Sequence, residues 1–347
     1  MRLINTRIVL EEFFGEEIPM YSILSHRWTK EEVSLREWTD PLATKTKAGF
    51  HKISNACSLV RSMGFDWLWV DTNCIDKSSS AELAEAINSM FGWYQNAQLC
   101  IAHLDDVDAS NAVLEAMPTS QEFLSQFRAS KWFTRGWTLQ ELLAPSAVFF
   151  YSRNWKPLKS KADLINEIAG ITGISKARPP WLRMSVAERI SWLARRHTTR
   201  IEDMAYCMLG LFDINMPLMY GEGARAFVRL QEEIIRTSKD QTIFLWTELA
   251  SSSAGSMRIQ AMTSALASSP RAFRDAGMWQ PQRRPGGPSP YFITNEGLSI
   301  RRPLLQTAGA SPGPLRVCER FSDLIDDSDE QIFWRLPTFR STLASFS

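Results

Sequence analysis

Trp137 and Glu141, four residues apart in Trp137-Thr138-Leu139-Gln140-Glu141, form a pair that could do chemistry together. On a helix this spacing puts both side chains on one face. Leu139, Leu142 and Leu143 would bury the opposite side. A carboxylate beside an indole sits in a partly dry pocket, where its charge is poorly solvated and strongly felt. Such a group suits the stabilisation of a developing cation. The same spacing also fits a surface glutamate whose stem packs on Trp137, and spacing alone favours that second reading.

Two further stretches hold polar groups where ligands gather. Ser25-His26-Arg27-Trp28 follows a strand candidate at Tyr21–Ser25, and Asp71-Thr72-Asn73-Cys74-Ile75-Asp76 follows the apolar run Phe65–Val70. In open parallel α/β sheets, ligands bind outside the carboxyl ends of the strands. Taken singly, each loop is better read as helix capping and turn hydrogen bonding by Ser, Asp and Asn. Ser25 and His26 are adjacent, so a strand sends them to opposite faces and a Ser–His catalytic pair is not expected. Cys74 with His26 or His103 could form a thiol–imidazole pair. A buried, inert cysteine is the better reading. The four histidines show no metal-binding spacing, so no metal site is expected. Gly221-Glu222-Gly223 reads as a tight turn into a helix. Arg195-Arg196-His197-Thr198-Thr199-Arg200 reads as a solvated connector.

The elements that must position these residues alternate. Lys45–Met63 has helical periodicity through Gly49, Ile53, Ala56, Val60 and Met63, with Gly64 as its positive-φ stop. Ser79-x-x-Glu82 is a capping box opening a second helix with Leu83, Ile87, Met90 or Phe91, and Tyr94 on its apolar face. Leu99–Leu104 and Ala147–Tyr151 are strand-like, and Trp137–Leu143 is a short helix that stops before Pro145. Strands alternating with helices predict a parallel sheet covered on both faces.

The middle third is helical. Ser185-x-x-Glu188 is a further capping box, Ile201–Leu209 reads as a helix closed by Gly210, and Gly223–Thr237 as another. Residues from about 250 to 290 are rich in Ser, Ala, Pro and Gly, with Arg283-Arg284-Pro285 among them, which is linker chemistry. Tyr291–Leu305 regains strand-like content around Asn295-Glu296-Gly297. The expected fold class is therefore α/β, a parallel sheet with flanking helices, followed by a helical subdomain and an irregular, partly β C-terminal region. The expected divisions are 1–155, 156–246, 247–290 and 291–347.

Composition narrows the function classes. The formal net charge is +1 over 347 residues, which gives no nucleic-acid or membrane surface. Thirteen tryptophans must mostly pack in cores or line a pocket. The five cysteines, Cys57, Cys74, Cys100, Cys207 and Cys318, are scattered and contain no Cys-x-x-Cys, against a disulfide framework and a structural zinc site. Met1–Leu10 lacks a signal-peptide core, and no window approaches a membrane span. The cytoplasm is the simplest compartment.

Together these residues resemble the HET domain of fungal heterokaryon-incompatibility proteins. The resemblance rests on Tyr21–Trp28, Trp67–Asp76, the helix from Ser79 to Met90, and Arg135-Gly-Trp-Thr-Leu-Gln-Glu-Leu142. It continues in Thr199–Tyr206 and Met216–Gly223, and runs from about Met1 to Trp246. Trp28-Thr29 stands where the family usually has Trp-Gly. The resemblance implies a role in self/non-self recognition and regulated cell death, and self-association with other incompatibility or signalling proteins.

The HET domain is in turn similar to the TIR fold, which implies a flavodoxin-like sheet. In active TIR domains a Trp-x-x-x-Glu pattern supplies the glutamate of NAD hydrolysis. Carried over, Glu141 is the catalytic residue and Trp137 shapes the pocket. Ser25, His26, Arg27 and Trp28 then contact substrate with Asn73 and Cys74, and Asp71 and Asp76 order the loops. NAD or NADP is then substrate, and no cofactor is implied. The alternative is a non-catalytic, self-associating module that recruits partners. A third reading is a nucleotide-binding regulator without turnover.

Overall fold

The computed structural model describes residues 1–39, 44–108, 121–174, 184–247, 265–278, 291–294, 297–303 and 331–333. Most of the expected linker, the Asn295-Glu296 turn and the tail beyond 303, save 331–333, lie outside the described residues, as do Arg283, Arg284 and Cys318.

The centre is a seven-stranded sheet in the order β2-β1-β4-β3-β5-β6-β7. Its strands are β1 (Arg2–Asn5), β2 (Val9–Glu12), β3 (Ser22–His26), β4 (Trp67–Trp69), β5 (Leu99–His103), β6 (Val148–Tyr151) and β7 (Pro157–Ser160). The middle four pair in parallel. In chain order they run second, first, third, fourth, which is the flavodoxin-like arrangement. Antiparallel partners close both edges: the β1–β2 hairpin beside β4, and β7 beside β6. The hairpin left little sequence signal, because Val9 and its neighbours form an exposed edge with no buried stripe to set a period.

Every residue of β3 and β5 is buried. That follows from helices on both faces, which remove the in–out alternation of a half-exposed strand. The described helices are α1 (Leu35–Trp38), α2 (Ala48–Ser62), α3 (Ser80–Asn96), α4 (Gln121–Ala129), α5 (Thr138–Leu143), α6 (Ile165–Thr172), α7 (Val186–Ser191), α8 (Asp203–Tyr206), α9 (Leu209–Phe212) and α10 (Arg225–Thr237). None is long and apolar enough to cross a membrane. Gly64 has φ +85° and ends α2 as its position predicted.

Two local expectations need correction. Ser79 accepts the Glu82 N–H at 3.3 Å, but the Glu82 carboxylate does not return to close the box. It accepts the Asp76 N–H at 2.7 Å and pairs with Arg2 instead, tying the α3 entrance to β1. Among the described residues a complete box is at Ser34 and Glu37 on α1. Gly210 does not close a helix either. It lies inside α9, where an added Cβ would fall 2.0 Å from Cβ of Phe91, so glycine is what lets α9 approach α3. The stop comes at Asp213, with φ +56°.

Under the sheet, Phe127, Trp132, Phe133 and Phe150 pack edge-to-face with ring centroids 5.0 to 5.7 Å apart where they meet most squarely. This aromatic block holds α5 against the sheet. A separate three-stranded antiparallel sheet contains β8 (Tyr291–Thr294), β9 (Gly297–Pro303) and β10 (Gln331–Phe333).

Candidate functional site

The strand order reverses between β3 and β5, and His26 and His103 pair in register at their carboxyl ends. A crevice is expected there because the crossovers leave in opposite directions. A cavity of about 470 Å³ opens beside it. Its walls come from His26 and Trp28 after β3, from Asp71, Ile75 and Lys77 after β4, and from Leu83, Ile87 and Met90 on α3. Arg135, Trp137 and Glu141 form a third side, and His197–Arg200, Asp203 and Tyr220 the fourth.

Glu141 is only 7% exposed. All six residues of α5 are buried, so the surface-glutamate reading of the Trp-x-x-x-Glu spacing does not hold. Ser25 Oγ donates to Glu141 Oε2 at 2.5 Å and accepts from the Trp132 indole at 2.9 Å. That fixes the Ser25 hydroxyl as a relay and leaves it no free role as a nucleophile. Burial pushes the Glu141 acid up to about 8. The Ser25 bond works against this, the Asp71 charge adds to it, and the Arg135 and Arg196 cations oppose it.

The stretch read as a solvated connector is exposed at Arg195, His197, Thr199 and Arg200, yet its residues His197–Arg200 also line this wall, and Arg196 departs from the expectation. Arg196 is buried and donates to the carbonyl of Arg135 at 2.9 Å and to Thr138 Oγ1 at 3.0 Å. His197 N–H donates to the Thr134 carbonyl at 2.7 Å, and Gly136 N–H to the His197 carbonyl at 2.8 Å. The two segments pair as a single parallel bridge. Gly136 permits it, since a Cβ there would meet Thr198 Cγ2 at 2.5 Å.

Side chains across the mouth are tied in pairs. The Trp137 indole donates to Asp203 at 3.3 Å, and the Tyr220 hydroxyl donates to the other Asp203 oxygen at 3.0 Å. Burial raises the Asp203 acid, and these two hydrogen bonds hold it back. The Arg200 guanidinium lies 4.3 Å from the Tyr220 ring centre. Opposite, the Trp28 indole donates to Asp71 at 2.8 Å, and Lys77 Nζ sits 3.7 Å over the Trp28 ring.

Of the residues expected at a site, His26, Trp28, Asp71, Trp137 and Glu141 converge on the cavity, with Ser25 directly behind Glu141. The others lie elsewhere. Arg27 pairs with Asp105 at 2.9 Å and Asp106 at 3.6 Å. Asn73 and Cys74 are buried beneath the loop; the Cys74 sulfur accepts the Val70 N–H, and burial pushes its thiol up to about 12. Asp76 accepts from the backbone and hydroxyl of Ser78, which lower its acid. His103 stacks on Trp155 at 4.3 Å and does not line the cavity; burial lowers it to about 4. Among the described residues no group of His, Cys, Asp and Glu is arranged to hold a metal ion.

Sequence reasoning gave no role to Trp132, Arg135, Arg196, Arg200, Asp203 or Tyr220. Four of these, Arg135, Arg200, Asp203 and Tyr220, sit inside the stretches that carry the family resemblance, which was the available signal.

Residues 21–122 match the family model described as heterokaryon incompatibility protein (HET). The chain carries a HET domain. The matched HET segment supplies β3, β4 and β5, with His26 and Asp71, while Glu141 lies beyond its end. Residues 225–284 match a domain of unknown function, DUF8212. The chain is also 44% identical over 224 residues to the vegetative incompatibility protein HET-E-1 of Podospora anserina, over 63% of this chain and 16% of that protein. The chain thus spans about a sixth of the length of that HET relative. No solved structure matches.

Proposed function

We propose that this chain acts in fungal heterokaryon incompatibility and regulated cell death by TIR-like hydrolysis of NAD or NADP at the cavity around Glu141, in the cytoplasm. The observation that carries this reading is a buried carboxyl group, its acid pushed up to about 8, set in a cavity at the switch point of a flavodoxin-like sheet.

The chemistry follows from charge. Nicotinamide leaves with the electron pair of its bond to ribose, and the sugar becomes an oxocarbenium-like cation. The bound pyridinium, a cation, favours ionisation of Glu141. The carboxylate then faces the charge that grows in the transition state, with little water to screen it. The rim suits the rest of a dinucleotide. Lys77, Arg135 and Arg200 line the cavity, and none of them forms an ion pair among the described residues. The cavity carboxylates Asp71 and Asp203 already accept from indoles or a phenol. Lys77 over the Trp28 ring and Arg200 over the Tyr220 ring, with the Trp137 indole also lining the cavity, suit phosphates and flat bases.

The test is a time course of NAD and NADP with the purified chain and its Glu141→Gln variant. Nicotinamide release by the wild type and its loss in the variant support the reading. Equal release by both removes Glu141 from the mechanism.

A second reading, a self-associating module that recruits other incompatibility proteins, is favoured by the exposed apolar side chains Ile201 and Met219 next to the cavity residues Arg200 and Tyr220. Concentrated protein that oligomerises while leaving both dinucleotides intact selects it.

A further inference from the structure

Beside the cavity, three elements bring unpartnered polar atoms to one point. His26 ends β3, Glu32 lies in the loop that follows, and Asp71 follows β4. His26 Nε2 is 3.7 Å from Glu32 Oε2 and 3.8 Å from Asp71 Oδ1. The His26 side chain is 1% exposed, and neither of its ring nitrogens has a hydrogen-bond partner among the described residues. The same is true of Glu32 Oε2 and Asp71 Oδ1.

Each carboxylate has its other oxygen anchored. Lys52 Nζ holds Glu32 Oε1 at 2.5 Å, and the Trp28 indole holds Asp71 Oδ2 at 2.8 Å. Both free oxygens therefore turn toward the imidazole at separations too long for direct hydrogen bonds, but spanned by one small bridging molecule. Two acceptors and one ring nitrogen suit a water, which donates to both carboxylates and accepts from Nε2–H. Burial and the nearby Lys52 cation lower the His26 pKa, so the ring stays neutral.

We propose that His26, Glu32 and Asp71 hold the water that attacks ribose. This rests on the N-glycoside reading given above. His26 and Asp71 both line the cavity, and the Asp71 charge is felt at Glu141, so the two carboxyl groups address one space. With both its hydrogens on carboxylates, the water keeps a lone pair for the sugar carbon. The carbon–oxygen bond forms as the carbon–nitrogen bond breaks, nicotinamide departs with that bond's electrons, and the water's proton passes to Asp71 and on to solvent. One water is consumed and one proton released.

The test is competition. The full chain is given NAD in buffer with a fixed fraction of methanol, and ADP-ribose, its methyl glycoside and nicotinamide are quantified. Methanol lacks the second hydrogen and bridges the three atoms poorly. Asp71→Asn and His26→Gln are expected to raise the ratio of methyl glycoside to ADP-ribose about tenfold, a modest share of what a positioned base contributes. Glu32→Gln provides a third variant should either fail to fold. A ratio unchanged in the folded variants, whatever happens to total nicotinamide release, overturns the proposal, because a merely structural role would slow both products alike.

Wild-type protein that releases no nicotinamide refutes the Glu141 reading itself. The water site is then decided by a high-resolution crystal structure. Density within about 3 Å of all three atoms supports the site. Direct His26–Asp71 contact without it overturns the site.

Discussion

Ser25 and Glu141 are joined by a 2.5 Å hydrogen bond, although 116 residues separate them in sequence. The bond links the first parallel strand to α5, and the Trp132 indole completes it from behind. Ser25→Ala leaves the fully buried Trp132 N–H without its acceptor, which costs about 1–3 kcal/mol of stability. It also removes a bond that lowers the Glu141 acid, so that acid rises further. If the ionised carboxylate is the working form, the midpoint of the rising activity–pH profile moves up. Chemical denaturation and a pH–rate series check both effects. An unmoved midpoint would detach Ser25 from the chemistry.

Glu141→Gln should fold at least as well as the wild type at pH 7. Burial already favours the neutral acid, and glutamine has nearly the same shape. Its nicotinamide release should fall about 10²–10³-fold, the usual cost of losing a group aimed at transition-state charge. Thermal unfolding and product assay on one preparation separate loss of fold from loss of function.

The same residue makes a stability prediction. Its acid is raised from 4.5 to about 8 on folding, so the folded chain binds the proton more tightly. That contribution is fully present below pH 4.5 and is lost as pH rises through 8. Glutamine does not titrate. The melting temperature of Glu141→Gln minus that of the wild type should therefore widen between pH 5 and pH 9, by roughly 4 °C or more. A constant difference across that range contradicts a buried, neutral Glu141.

Arg135 lines the cavity with its Nε free of any partner among the described residues. Arg135→Met should raise KM for NAD about tenfold, the effect of losing one charge-assisted hydrogen bond to phosphate, with a smaller change in kcat. Steady-state kinetics at two ionic strengths test this. The wild type should weaken with salt more than the variant does.

Gly136→Ala should destabilise the chain, because the new methyl meets Thr198 at 2.5 Å and forces the paired segments apart. Thr198→Ser removes the opposing methyl and should recover part of the loss. Denaturation of the single and double variants measures the coupling. Strictly additive effects would mean that the clash is relieved some other way.

Much of the scaffold was legible because periodicity reports burial. The α2 helix, its Gly64 stop and the four parallel strands all follow from apolar spacing and turn residues. The strand order does not, since spacing says nothing of which strand lies beside which. Glu141 shows the same limit. The Trp137 spacing fixes which face of α5 it shares, but the groups opposite it, Ser25 and Trp132, come from distant positions. Arg196 misled for a related reason. A run of basic residues normally stays in water, as Arg195 and Arg200 do; Arg196 is buried because the carbonyls of Trp192 and Arg135 and the Thr138 hydroxyl accept its N–H groups. Gly210 looked like a helix stop because glycine usually marks one, whereas here it makes room for Phe91.

The bridge between Arg135 and His197 ties the loop ahead of Glu141 to a stretch some sixty residues downstream. Neither half forms the pocket alone. Backbone groups of Thr134, Gly136 and His197 carry the bridge, so its constraint falls on chain path and spacing more than on side-chain identity. An insertion or deletion in either stretch should therefore disturb the cavity wall while the distant sheet edges stay as they are.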